Sequence, residues 1–287
     1  RRNEFGKRPT LMKPNWLAGI VFFALFIGAA SAQPAADRML DELMQKSGLW
    51  KQLAQIEPQM MFGAEQTQSG KTKLPEADFA RLKASISRSY AADRLRADMR
   101  KQLALELLPA DQSAALQWLT SNLGTRITAL EEQSGELAEI RQREKEAGKL
   151  AAGLAPARRN RIEALVRAMR VAESGASIII NTTLGVANGF AVAAPAGASS
   201  GLAALRAKLE AQRRRLVESL EVRMVTECAF IYRSLSDEEI AQYIAFADSP
   251  SGRNYHAATV GALDKVMTDA SLNVGFELAG QRFGRES

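Results

Sequence analysis

The sequence predicts an all-α fold, built as a tandem pair of related multi-helix units. Beyond its N-terminal segment the chain is rich in Ala, Leu, Arg, Glu and Gln, which favour helices, and no segment alternates apolar and polar residues with the period of a strand. Apolar residues recur instead at helical spacing, as at Ile162, Leu165 and Met169. A short motif also occurs twice, as WLTSNLG at 118–124 and FADSPSG at 246–252.

The first 32 residues carry the features of a leader. Residues 12–32 read MKPNWLAGIVFFALFIGAASA, in which a lysine precedes an apolar run and the last residues are small. This order predicts a signal peptide that is cleaved before Gln33, and residues 1–11 are expected to be a non-native or upstream extension. The alternative is an uncleaved leader that anchors the protein in the inner membrane, although the apolar run is short for a span. We expect the mature protein in the periplasm.

Charge and cysteine content exclude several classes of function. The formal net charge is +6, but residues 1–32 hold five cations and one anion, so the remaining chain carries +2 and does not have the basic character of a nucleic-acid-binding protein. Cys228 is the only cysteine, which excludes an intramolecular disulfide. One cysteine and one histidine cannot complete a usual zinc site. We therefore predict no metal and no cofactor.

A comparison of the chain with itself defines the two units. Leu43–Leu49 corresponds to Leu165–Val171 at an offset of 122 residues, whereas the repeated motif has an offset of 128. The six extra residues fit the small-residue loop Ala191–Gly201, whose counterpart is the polar linker Gln66–Lys73. The units are predicted at 33–156 and 157–287, with Gly153–Pro156 between them.

The repeated motif predicts a corner between two helices. Ser236 and Glu239 have the spacing of a capping box that begins the first helix. Ser249 can cap the second helix, and Pro250 then occupies its first position. Gly252 is expected to allow a close approach of backbones, so that alanine there is tolerated and valine is not. The predicted structural residues are Trp118, Ser121, Gly124, Ser236, Glu239, Phe246, Ser249, Pro250 and Gly252.

The second corner also resembles a known family. The pattern L-S-D-E-E-I-x-x-Y-I-A-F-x-x-S-P-S-G at 235–252 is similar to the exported bacterial family called domain of unknown function 2059. The first unit departs from the pattern, because Asn122 replaces the proline and the capping box is absent. The resemblance implies a helical, exported protein. It implies no activity, because none is established for the family.

Ser199 and His256 are the two candidate catalytic residues, but their sequence context does not support catalysis. Gly197–Gly201 fits the pattern G-x-S-x-G with Ser199 at the nucleophile position, but a nucleophile elbow needs a strand before it, and this segment is a small-residue loop in a helical chain. His256 is the only histidine, and Thr128 occupies the corresponding position of the first unit. We interpret His256 as a surface or groove histidine. A periplasmic hydrolase that uses Ser199 or His256 is the alternative, and no catalytic residue is predicted.

The segment 176–195, ASIIINTTLGVANGFAVAAP, is the most apolar part of the chain beyond the leader. Two asparagines and two threonines argue against a membrane span, so a core helix is expected, and a groove for an apolar ligand or a partner helix is the alternative. The leading hypothesis is a non-enzymatic periplasmic protein that binds another envelope protein, lipid or itself. The further alternative is an envelope-anchored or lipid-interacting protein that makes peripheral membrane contact through 176–195.

Overall fold

A computed structural model describes residues 37–68, 73–135, 137–193 and 200–283, and in these residues it contains twelve helices and no strand, which confirms the all-α prediction. The predicted signal peptide at 12–32, residues 1–11 and Ser199 lie outside the described residues. The first seven helices are α1 (37–46), α2 (Leu49–Gln68), α3 (Glu76–Ser89), α4 (Ala92–Glu106), α5 (Pro109–Leu119), α6 (Asn122–Ser134) and α7 (Leu137–Ala152). The remaining five are α8 (Pro156–Met169), α9 (Val171–Ala193), α10 (Ser200–Ile231), α11 (Asp237–Asp248) and α12 (Pro250–Phe283).

The two copies of the motif form corners with the same hydrogen bonds. In the α11–α12 corner the hydroxyl of Ser249 donates to the carbonyl of Phe246 at 2.7 Å and accepts the N–H of Gly252 at 3.0 Å. In the α5–α6 corner the hydroxyl of Ser121 makes the corresponding bonds to Trp118 at 2.6 Å and to Gly124 at 3.0 Å. The serine therefore satisfies one backbone group of each helix, as a helix cap does.

The remaining residues of the second corner also have their predicted roles. Ser236 accepts the N–H of Glu239, whose carboxylate accepts the N–H of Ser236 at 2.7 Å, so the capping box is formed. Pro250 is the first residue of α12, where its missing N–H leaves no helix bond unmade. The side chain of Glu239 also accepts from Arg126 of α6 at 2.6 Å, which links the beginning of α11 to the other corner.

The aromatic residues of the two corners stack on each other. The rings of Trp118 and Phe246 lie 4.7 Å apart between centroids with an angle of 8° between their planes. Each ring packs against both hydrophobic clusters of the protein. Offset stacking contributes about 0.5–1.5 kcal/mol beyond the burial of area. The two corners thus meet between the clusters and are held together there.

Each hydrophobic cluster contains residues from helices that precede residue 156 in the sequence and from helices that follow it. The first cluster combines residues of α1 to α5, such as Leu53 and Met99, with Ala262 and Val266 of α12. The second combines Ile127 of α6 and residues of α7 with residues of α8, α10 and α11. The helices that follow the two corners are therefore exchanged between the clusters. Residues Met39–Ser287 form one compact unit, and the tandem relation of 33–156 and 157–287 stays a prediction.

Helix α9 lies between α10 and α12, and its contacts show how the three helices are oriented relative to one another. The side chain of Asn181 donates to Asp264 at 2.7 Å, while Gly185 lies against Thr268 and Gly189 against Phe276, so α9 and α12 run parallel. Arg213 of α10 donates to Ser177 at 3.0 Å, whereas residues near position 202 face the other end of α9, so α9 and α10 run antiparallel. The last turns of α9 and α12 and the first turns of α10 consequently share one end of the protein.

The corner glycines exclude any side chain. A Cβ at Gly252 would overlap the carbonyl oxygen of Phe246 and lie 2.8 Å from its carbonyl carbon, and a Cβ at Gly124 would overlap the carbonyl oxygen of Trp118. The expected tolerance of alanine at position 252 is therefore wrong. The reason is that the close neighbour is the backbone at the end of the preceding helix, which cannot rotate away as a side chain can.

We expect Gly252→Ala and Gly124→Ala each to lower the free energy of unfolding by about 1–3 kcal/mol, the usual cost of overpacking. Gly148→Ala is the matched control, because a Cβ at this position in α7 has no neighbour within 4 Å. It should raise stability by up to about 1 kcal/mol through helix propensity. Urea unfolding followed by circular dichroism measures all three, and equal effects at positions 252 and 148 would contradict a packing constraint.

The exchange of helices predicts that neither half of the chain folds alone. A fragment of residues 33–155 lacks the α12 residues of the first cluster, and a fragment of residues 156–287 lacks the α6 and α7 residues of the second. We expect each fragment to melt without a cooperative transition, and an equimolar mixture to recover one. Circular dichroism melts of the fragments and the mixture test this. A cooperative melt of 33–155 alone would mean that its cluster closes without α12.

Candidate binding groove

His256 is largely buried beside aromatic rings, and this burial favours its neutral form. Its ring is 5.3 Å from the ring of Tyr255 and 6.0 Å from that of Phe246, and its Nε2 is buried without a hydrogen-bond partner among the described residues. Burial lowers the pKa of His256 to about 4. Among the described residues, Nε2 therefore has no nucleophile to activate. The structure does not test its pairing with Ser199, which lies outside the described residues.

A polar cavity of about 600 Å³ adjoins His256. Sequence reasoning missed its other residues, because they come from four helices, and α8 and α9 lie far in sequence from α11 and α12. Asp264 is one of them: one carboxylate oxygen accepts from Asn181, and the other is buried without a partner in the described part of the chain. Arg170 also lines the cavity and adopts a left-handed backbone conformation with φ 52° at the end of α8. The cavity gathers charges of both signs, including Arg167, Glu173, Asp248 and Arg253.

Cys228 and Glu131 are groups whose pKa values are raised by their surroundings. Burial raises the pKa of Cys228 to about 12, so its thiol is not a reactive thiolate at neutral pH. Glu131 accepts hydrogen bonds from Tyr232 at 2.6 Å and from Tyr243 at 3.2 Å, and burial raises its pKa. No group of three metal-ligating side chains occurs within the described ranges.

A second groove lies where the sequence is most apolar. It has a volume of about 550 Å³ and lies between the last turns of α9 and the first turns of α10. Among the residues that the structure describes, Thr183 is the only polar residue of its walls, and the Thr183 hydroxyl donates to the carbonyl of Ile179 at 2.7 Å. The lining residues are Thr183, Val186, Ala187, Phe190, Ala191, Gly201, Leu202 and Leu205.

One face of α9 is buried and the other is open. Ala176, Ile180 and Leu184 belong to the buried residues, whereas Val186 is exposed on the face that lines the groove. Val192, in the last turn of α9, has a relative exposure of 66%. Phe276 of α12, which lies beside Gly189, is 49% exposed. We call the six residues Val186, Phe190, Val192, Leu202, Leu205 and Phe276 the apolar end. The expectation of a core helix therefore holds for one face of α9 only.

Glycine makes this arrangement rigid. A Cβ at Gly189 would overlap the carbonyl oxygen of Leu272, and one at Gly275 would overlap that of Val186, so the backbones of α9 and α12 are in contact. Close packing of helices through small residues spaced by four, as at Gly185 and Gly189, is common where helices are surrounded by lipid. Val171–Val192 is also long and apolar enough to cross a membrane, and 28% of its most apolar window is buried within the protein.

No family model, no curated protein and no solved structure matches the chain. The resemblance to domain of unknown function 2059 therefore stays a prediction.

The environment of His256 predicts a pH-dependent stability. The unfolded chain takes up a proton near pH 6.5 and the folded chain only near pH 4. The unfolded state thus binds more protons between these values, so the contribution of His256 is complete above about pH 6.5 and is lost as the pH falls. From pH 7.5 to 4.5 we expect a loss of about 2–3 kcal/mol that is absent in His256→Leu.

Urea unfolding of the wild type and of His256→Leu at both pH values gives this contribution as a difference. Glu131 acts in the opposite direction, because its raised pKa stabilises the fold as the pH falls, but it is present in both proteins and cancels. If the two proteins differ in free energy of unfolding by the same amount at pH 7.5 and 4.5, then the pKa of His256 is the same in the folded and the unfolded chain.

Proposed function

We propose that this chain is a non-enzymatic binding protein of the periplasm that recognises an apolar partner through its apolar end. The observation that carries the proposal is the open face of α9 with its groove. A contiguous exposed apolar surface is unfavourable in water, and on a folded protein it usually marks a site of interaction. The leader-like sequence at 12–32 supports export to the periplasm.

The geometry of the groove supports binding rather than chemistry. A groove of about 550 Å³ is within the size range of ligand sites, and its walls are formed by aliphatic and aromatic side chains. None of its described lining residues has a titratable side chain that could transfer a proton. The hydroxyl of Thr183 donates to a carbonyl of its own helix, so its proton needs no hydrogen bond to water when a ligand covers it. The groove therefore suits an apolar surface that excludes water.

The hydrolase alternative has weaker support. His256 has no partner at Nε2 in the described chain, and its low pKa makes it a poor base near pH 7. It also faces a different cavity from the apolar groove. Ester turnover by residues 33–287 that is lost in Ser199→Ala or His256→Ala would favour this alternative and contradict a protein without catalytic activity.

Binding of the neutral fluorescent probe N-phenyl-1-naphthylamine tests the proposal. We expect residues 33–287 to enhance its fluorescence in a saturable manner. Ala187→Asp places a carboxylate in the groove and should weaken probe binding by at least about tenfold, because the charge loses its hydration when the probe covers it. Ala203→Asp on the exposed surface of α10 adds the same charge outside the groove and should leave binding unchanged. Equal affinities of both variants would contradict the proposal.

A further inference from the structure

The charges around the apolar end have a marked asymmetry. No charged residue occurs in the sequence from Ser174 to Leu205. The next ten residues contain five cations and one anion, and of these Arg206 and Lys208 are exposed. The cations begin directly after the groove residue Leu205, within about one turn of α10.

The acidic residues near this end are neutralised by arginines. Glu210, the only anion in the first half of α10, accepts two hydrogen bonds from Arg213, one of them at 2.6 Å. Glu277, which follows Phe276 in α12, is paired with Arg88 of α3. With five cations and one anion, the segment 206–215 thus borders the apolar end with net positive charge.

We infer, on the basis of the proposed function, that the apolar partner is the surface of an anionic lipid bilayer. An interfacial helix buries apolar side chains about 5–10 Å deep at the boundary between headgroups and acyl chains, and basic residues beside it bind the anionic headgroups. The six residues of the apolar end supply the inserted part. Arg206 and Lys208 have long aliphatic stems that can lie along the apolar layer while their charges reach the headgroups.

The packing of α9 against α12 restricts membrane contact to the surface region of the bilayer. A spanning helix would separate from α12, yet Gly185, Gly189 and Gly275 hold the two backbones in contact. It would also carry into the hydrocarbon the hydrogen bond between Asn181 and Asp264. The last turns of α9, beyond Thr183, combine exposed Val186 and Val192 with the apolar groove. The bilayer therefore contacts the end of the protein, and α12 remains in the fold.

Charge also argues against a second copy of the chain as the partner. A symmetric dimer places the same patch of both subunits together. Such an interface at the apolar end would bring together two copies of the same net positive segment 206–215. An anionic bilayer supplies the missing negative charge.

Sedimentation with vesicles tests the inference. The chain from Gln33 to Ser287 is used, because it contains the whole compact unit and lacks the apolar leader. We expect it to bind vesicles of phosphatidylglycerol more tightly than vesicles of phosphatidylcholine, and more weakly as salt is raised. The double variant Arg206→Gln, Lys208→Gln should lose about 25-fold in affinity for phosphatidylglycerol, about fivefold per charge, and change little for phosphatidylcholine.

Val192→Asp removes an inserted side chain and should weaken binding to both kinds of vesicle by at least about tenfold. Val222→Asp is the matched control, because Val222 is 71% exposed in the middle of α10 and lies outside the apolar end. It should bind as the wild type does.

Three outcomes would overturn the inference: equal vesicle binding by Val192→Asp and Val222→Asp, no preference for phosphatidylglycerol, or a stable dimer in light scattering that Val192→Asp dissociates. If the fluorescent probe still binds the groove in any of these cases, the proposed function stands and only the choice of partner fails. If neither the probe nor vesicles bind, both fail.

Discussion

The stacking of Trp118 on Phe246 determines how the rest of the chain is arranged. Each ring belongs to a helix that ends at a Ser-x-x-Gly corner, and the contact holds the two corners together at the boundary of the hydrophobic clusters. From this point α6 and α12 leave toward opposite clusters. Because the glycine of each corner touches the backbone of the preceding helix, the direction in which each helix leaves is set by van der Waals contact and has little freedom to vary.

The direction of α12 in turn positions the candidate site. α12 passes through the first cluster and then contacts α9 at Gly185, Gly189 and Gly275. The buried part of α12 packs along one face of α9 and holds that helix in place. The opposite face of α9 can therefore remain apolar and exposed. A helix with this composition would otherwise bury itself or associate with another chain. The open groove is thus a consequence of the packing beneath it.

Local features could be predicted from the sequence, whereas contacts between distant residues could not. Ser249, Pro250 and Gly252 specify a corner through hydrogen bonding and backbone conformation within a few residues, and the corner was predicted correctly except for the cost of alanine. The stacking of the two aromatic rings and the exchange of α6 and α12 depend on residues more than 100 positions apart, and no local pattern indicates them. The segment 176–195 was identified as apolar, but which of its faces is open depends on α12. The low pKa of His256 likewise requires its neighbours in space.

The exchange of helices also affects the order in which the protein can acquire its structure. The first cluster begins with α1 and is completed by α12, which begins about 200 residues later in the chain. Until α12 has been synthesised, the cluster that contains Leu53 and Met99 lacks the residues that α12 contributes. Contacts between residues so far apart in sequence form slowly, because a long loop must close before they are made. The position of α12 in the core therefore makes closure of the first cluster a late step of folding.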